Sequence, residues 1–352
     1  MRQAKHADFS GQNIYAGVDV HKKSWRVSIY TEAFEHKTFT QPPDAKKLVA
    51  YLERMFPGGD YHAVYEAGFS GFWTHDELAR MGVNCTVVHP GDVPTTDKER
   101  RHKTDSRDSR KLAKQLRSGT LEAIHIPSIL QRENRCLVRQ RKTVSRDAAR
   151  VKTRIKHFLH FHGINIPPRF NSGYLSANYL NWISQRSLSC DAGQATLISL
   201  LRQYGSHRKE LTMLNREIRF LSRTPAYQDD VNHLISIPGI GRLSAMIWLT
   251  ELGDINRFKS FDKLCSYIGL VPIEHSSGET VHTGSLDHRG NKILRSLLIE
   301  NAWVAVRSDR ELIAAYHQYI GRMKGQMAII RIARKLLARI RYVLMHKCDL
   351  DG

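Results

Sequence analysis

Asn13-Ile-Tyr-Ala-Gly-Val-Asp-Val20 is a short, mostly apolar run. Just after it, Ser24-Trp-Arg-Val-Ser-Ile-Tyr30 alternates Trp25, Val27 and Ile29 with polar neighbours. The second run has the period of a half-buried strand, and the first is apolar enough to be a buried one. Residues 35–41 read as a third strand. Asp44 to Met55 places Leu48, Val49, Leu52 and Met55 on one face of a helix. Working outward, His62 to Glu66 reads as a strand, Gly71 to Met81 as a helix, Asn84 to His89 as a strand and Thr104 to Leu116 as a helix. Three strands in succession, then alternation of helix and strand, predict an α/β region. Its mixed sheet is antiparallel at the opening and parallel afterwards, with helices packed on it.

The middle of the chain changes period. From Gln131 to His162 there is no Gly or Pro, and Leu137, Val144, Val151 and Phe158 recur every seven residues. A second seam runs Leu197, Leu200, Tyr204, His207, Leu211, Leu214, Ile218 and Leu221 in steps of three and four. Two long helices result, either as an antiparallel or dimeric coiled coil or as a helical hairpin within one monomer. After Thr224-Pro225 the pattern is mainly helical, with a polar interruption from His275 to Gly290 and a basic amphipathic helix at the end. The expected divisions are 1–130, 131–225 and 226–352. A chain of 352 residues is long enough for two or three domains.

Lys and Arg number 54 against 34 acids, a net charge of +20. Three segments hold this excess: 131–157 has ten bases and two acids, 321–347 has eight and none, and 97–119 has nine and four. Such concentration points to a polyanion, nucleic acid before membrane. No apolar run is long enough for a spanning helix, and the first residues lack the apolar stretch of a signal peptide. Five scattered cysteines without a CxxC pair fit a reducing cytosol. His157, His160 and His162 cluster, and His21 and His89 lie near acids, but without paired cysteines they read as ordinary surface or core histidines.

Four carboxylates stand out. Asp19 is near the end of the first strand and Glu66 ends a later one. Asp105 and Asp108 are three apart at the start of a helix, hence on one face. Converging at one sheet edge, four oxygen donors suit Mg²⁺, or Mn²⁺ in its place. Two such ions about 3.5–4 Å apart can clamp the attacking and leaving oxygens of a phosphodiester. Taken singly, Asp19 reads equally as a turn residue, and Asp105 or Asp108 as complements of a helix N-terminus. In the third region, Leu234-Ile-Ser-Ile-Pro-Gly-Ile-Gly241 resembles a helix–hairpin–helix turn, with Gly239 and Gly241 opening backbone N–H groups to a phosphate. Its other reading is a tight turn with no ligand. Ser276-Ser277-Gly278-Glu279 offers a hydroxyl beside a glycine. Arg289, Lys292 and Arg295 follow in a Gly-containing loop and helix start. Arg139, Arg141, Lys142, Arg146, Arg331, Arg334 and Lys335 are the candidate phosphate contacts of the basic segments.

Gly-Val-Asp-Val-His, Tyr-Glu-Ala-Gly, Lys-Thr-Asp-Ser-Arg-Asp, Ile-Pro-Gly-Ile-Gly, Ser-Ser-Gly-Glu and Arg-Gly-Asn-Lys-Ile-Leu-Arg occur in this order. Together they resemble the DEDD transposases of bacterial insertion-sequence family one-ten, over nearly the whole chain. The resemblance implies an RNase H-like (RuvC-like) domain, a coiled-coil linker and a C-terminal transposase domain. It carries Asp19, Glu66, Asp105 and Asp108 onto the metal-binding tetrad and Ser277 onto the serine nucleophile, with Ser276 its neighbour. It also implies donor and target DNA, a guide (bridge) RNA, a dimer or tetramer, no membrane, and residence in the bacterial cytoplasm at the nucleoid. Ser109 stands where the family often has Ala. The expected activity is cutting and rejoining DNA to move an insertion sequence. The competing readings are a hydrolytic junction nuclease of RuvC type and a non-catalytic nucleic-acid-binding protein.

Overall fold

The structure, a computed structural model, describes residues 8–94, 105–170, 173–277, 280–286 and 290–350. The chain forms two compact units, Met1–Ile126 and Pro127–Gly352.

The first unit is built on five strands: β1 (Asn13–Val20), β2 (Trp25–Tyr30), β3 (Glu35–Gln41), β4 (Asp60–Glu66) and β5 (Asn84–Val88), in the order β3-β2-β1-β4-β5. β1 pairs antiparallel with β2, and β2 with β3. β4 lies parallel to β1, and β5 parallel to β4. This is the mixed sheet the sequence predicts. Strand alternation divides the side chains between two faces. Ile14, Ala16 and Val18 of β1, with Ala63 and Tyr65 of β4, join Leu48, Val49 and Leu52 of α1 (Ala45–Met55) and Leu78 of α2 (Trp73–Arg80) in one core. Asp44 caps α1, accepting from the Lys46 and Lys47 amides, and sets where that helix starts. On the opposite face, Val64 and Val88 pack with Leu112 of α3 (Asp105–Arg117).

The second unit is mainly helical. Ser128 caps α4 (Ile129–Phe161), and α5 (Ala177–Ser184) lies in the connection to α6 (Asp191–Leu221). Arg141 donates to Asn215 at 3.1 Å, whereas Phe158 and Leu200 meet around one apolar hollow, so α4 and α6 run antiparallel within one chain. The buried stripe of α4 is Val138, Val144, Ala148, Val151, Ile155 and Leu159; Leu137 and Phe158 are only partly covered. A straight helix drifts from a strict seven-residue repeat, which moves the seam by one position at its ends.

Beyond them come α7 (Gln228–Ile235), α8 (Arg242–Leu252), α9 (Phe261–Ile268), the hairpin of β6 (Pro272–Ser277) and β7 (Thr280–Leu286), α10 (Lys292–Ala305), α11 (Arg310–Ile320) and α12 (Gly325–His346). The hairpin replaces what the sequence offers only as a polar interruption. Its strands carry His, Thr, Ser and Glu, so they lack the apolar alternation that announces a buried strand. α12 turns Ile329, Ile332, Leu336, Ile340 and Val343 into the core around Trp248, Leu264, Leu294 and Leu298. Its apolar face is therefore already occupied by protein. Among the described residues no helix is long and apolar enough to cross a membrane. All five cysteines are free, and burial pushes the Cys85 thiol up to about 12.

Candidate active site

Asp19 follows Gly17 by two residues, on the face that α3 covers, and stands opposite Arg26 of β2. Glu66 follows Val64 by two on the parallel neighbour β4 and shares that face. Both acids lie at the carboxyl ends of their strands, the edge where open α/β sheets place ligands.

The orientation of α3 brings its acids to the same edge. Near its far end, Lys114 and Arg117 lie over the Tyr30 ring, and Tyr30 is paired with Tyr15 at the start of β1. Ser109 instead meets Gly17 and Ser28, midway along the strand pair. The helix thus runs antiparallel to β1, with its N-terminus at the Asp19 end. Position 108 shares a helical stripe with Leu112, which packs toward the sheet.

Gly17 makes the close packing possible. A Cβ at this position would lie 2.1 Å from the Ser109 carbonyl oxygen and 2.5 Å from the Ala113 nitrogen, both backbone atoms that cannot retract. The helix backbone rests directly on the strand. Ser109 and Ser28 are both fully buried, and their hydroxyls satisfy each other at 2.8 Å; Ser28 also reaches Thr38 at 2.8 Å. A buried hydroxyl without a partner costs about 1–3 kcal/mol, so this chain of hydroxyls helps fix the height of α3 on the sheet. Gly17, Ser28 and Ser109 are positioning residues that motif reading passes over.

His21 Nε2 lies 3.0 Å from Asp19 Oδ2. The sequence signal for this contact is the i, i+2 spacing, although the residue reads there as an ordinary histidine. His89 is 3.8 Å from Asp92 and accepts from the Gly91 amide. His157 and His162 flank Phe158, with His162 tilted against that ring.

The donors at the edge are all carboxylate oxygens, the chemistry that suits a hard divalent ion. Among the described residues no three His, Cys, Asp or Glu side chains are gathered closely enough to hold a metal. The set fits such an ion by donor type.

Ser277 belongs to the second unit. It is the last residue of β6 and pairs with Thr280 of β7, while Ser276 pairs with Val281. Positions 276 and 277 therefore belong to opposite faces of the hairpin ladder.

Of the candidate phosphate contacts, Arg289 lies outside the described residues. Arg146 and Lys335 are exposed, as is Lys292 at the start of α10. Arg331 faces the Tyr319 ring, and Arg334 pairs with Asp262 at 2.7 Å. Arg295 donates to the Gly269 carbonyl and Lys142 to Ser296.

Arg139 forks both oxygens of the fully buried Glu251 at 2.7 and 2.8 Å. Asn291 donates to the same carboxylate at 3.0 Å, and Arg135 stands 3.9 Å away. Burial pushes the Glu251 carboxyl up, but the Arg139 fork, its charge, Asn291 and Arg135 together hold it below the ordinary carboxylate range.

Gly239 has φ +92, and a Cβ there would lie 2.6 Å from the Asn301 carbonyl oxygen of α10. Asn301 in turn donates to the Gly239 carbonyl and accepts from Trp248. Gly239 thus serves packing between helices, whereas Gly241, the N-cap of α8, faces open space.

Residues 16–164 match the DEDD-type transposase model of the IS110 group, and residues 231–318 match the model described as "Transposase IS116/IS110/IS902 family". The chain is 30% identical over 258 residues to the protein y4qE of Sinorhizobium fredii, which carries a transposase name; the match covers 73% of this chain and 60% of that one. It is 26% identical over 251 residues to the transposase for insertion sequence element IS1533 of Leptospira borgpetersenii, covering 69% and 70%. It is also 37% identical over 134 residues to the pilin gene-inverting protein of Moraxella bovis, covering 36% and 41%. With models of this one group matching both its sheet-bearing unit and its helical unit, the chain belongs to the IS110-type DEDD transposases.

Proposed function

We propose that this chain moves an insertion sequence by cutting DNA and rejoining it through a serine–DNA intermediate. The observation that carries the reading is the convergence of Asp19, Glu66 and the acid-bearing start of α3 on one end of the sheet. Asp19, Glu66, Asp105 and Asp108 would hold Mg²⁺ or Mn²⁺. Bound there, the ion would offset the charge that develops at the scissile phosphate.

The Ser277 hydroxyl attacks phosphorus and gives up its proton, and the departing strand-end oxygen takes one up. The new bond is a phosphoserine ester, and the broken one is the original phosphodiester. A hydroxyl from another strand end then attacks the ester, and Ser277 leaves with its proton restored. Each step exchanges one ester for another, so no outside energy source is required. The hydroxyl and the carboxylates must act on one phosphate, within a chain or across the protomers of a dimer or tetramer. A guide RNA pairing with donor and target DNA selects the sites, consistent with the charge of +20. The work takes place in the bacterial cytoplasm, at the nucleoid. The likeness to a gene-inverting protein favours rejoining over simple hydrolysis, because inversion of a segment requires new junctions.

Denaturing electrophoresis after incubation with DNA carrying the element's ends tests this. Wild-type chain leaves a covalent protein–DNA product, and Ser277→Ala leaves neither product nor cut. Cleavage that survives Ser277→Ala identifies a hydrolytic nuclease using the carboxylates and water. DNA transactions unchanged by Asp19→Asn identify a binding protein.

A further inference from the structure

The second unit holds a basic cleft that gathers Arg141 with three arginines outside the basic segments of the sequence. It measures about 490 Å³ and is lined by Arg141 of α4, Asn215 and Arg219 of α6, Arg223 just beyond α6, and Arg242 at the start of α8. Ile218 and Leu243 form its apolar floor. Four guanidinium groups share this hollow, and no acid is among its lining residues. Their bonds are to neutral groups: Arg141 donates to the Asn215 side chain at 3.1 Å and Arg242 to the Ser222 hydroxyl at 3.4 Å.

Like charges brought together cost energy unless an anion offsets them. Elsewhere in this unit the same residue type is matched, as Arg139 is by Glu251 and Arg334 by Asp262. Burial also pushes the Arg141 guanidinium below its ordinary range, with no carboxylate to restore it. One wall is the N-terminus of α8. Its cap residue is Gly241, which provides no side-chain acceptor and leaves open space in front of the first turn. A helix start of this kind adds N–H donors and positive potential for an anion. Guanidinium is the side chain best shaped to fork phosphate oxygens.

We propose that this cleft binds the phosphodiester backbone of a nucleic acid, seating phosphate oxygens between Arg141, Arg219, Arg223 and Arg242 at the start of α8. The inference deepens the reading of this chain as one that handles nucleic acid, and it does not depend on the serine or the carboxylates. Arg219, Arg223 and Arg242 are charges that the basic segments of the sequence do not single out.

The test uses the full-length chain in chelator, so that no chemistry occurs. Binding to a random-sequence DNA duplex and to a stem-loop RNA is measured from about 50 to 200 mM salt. The double variant Arg219→Gln/Arg223→Gln reduces the log–log salt slope by about 1–2 and weakens binding roughly tenfold or more. Arg219→Lys/Arg223→Lys keeps most of the slope. The nucleic acid on which the slope falls identifies the backbone held. Arg202→Gln/Lys209→Gln, on the exposed surface of α6, is the control. A loss no greater than that control on either nucleic acid overturns the proposal. Independently of variant folding, bound nucleic acid shields Arg219 and Arg223 of the wild-type chain from phenylglyoxal; equal modification with and without it also overturns the proposal. Asp19→Asn retains this binding, so a failure of the cutting mechanism leaves the cleft result readable.

Discussion

Two groups of acids in this molecule have opposite surroundings. Glu251 is fully buried in the helical unit and held by Arg139, Arg135 and Asn291 from two other segments. Asp19, Glu66 and Asp108 stand part-exposed at the end of a sheet, on two paired strands and a helix that rests on one of them at Gly17. A carboxylate that holds a fold is dry and matched by cations of its own chain. A part-exposed carboxylate keeps access to water and to whatever comes from outside. The comparison predicts that the two groups fail in different ways.

The largest effect should come from Asp19→Asn. Strand cleavage falls by about a thousandfold or more, while the unfolding midpoint barely moves, because an exposed-edge charge contributes little to folding. A gel assay paired with thermal unfolding measures both. Next comes Glu251→Gln, which leaves Arg139 and Arg135 without their anion and costs about 3 kcal/mol at neutral pH in denaturant unfolding. The carboxyl is held low in the folded state, so its contribution is present above the unfolded value of about 4.3 and disappears as pH falls through the lower folded one. Wild type and Glu251→Gln therefore converge in stability in acid. If Glu251→Gln removed activity while leaving stability intact, the comparison would break.

Gly17→Ala sharpens it from the other side. The new methyl meets backbone of α3, so the helix must lift, at about 1–3 kcal/mol. Cleavage per folded molecule should fall too, since the acids ride on that helix. Smallest is the hydroxyl pair: Ser109→Ala removes one of the two hydroxyl partners of the buried Ser28, which keeps Thr38, and costs about 1 kcal/mol; a double-mutant cycle with Ser28→Ala measures the coupling between the two.

The sheet was legible because β1 is a short apolar run, β2 alternates, and the helices between the later strands carry apolar faces, which also puts Asp19 and Glu66 near strand ends. Asp105 and Asp108 were legible as a pair for the same reason. What periodicity does not encode is the partner across the fold. Arg139 reads as one more charge in a basic helix until Glu251, 112 residues away in sequence, closes on it. Gly239 reads as a phosphate-facing glycine until α10 fills the space beside it. Periodicity does not announce the hairpin at 272–286 because its residues are polar, and Ser277 is marked by its motif and not by any strand pattern.

The helix from Ile129 to Phe161 contributes Val138 to the core around Trp248, and Ala148, Val151, Ile155 and Leu159 to a separate core with Leu197 and Tyr204. At 33 residues it is about 50 Å of uninterrupted rod. The two cores consequently share one backbone, and melting either frays the element the other leans on. A proline inserted between them, near Thr143, would split one thermal transition into two.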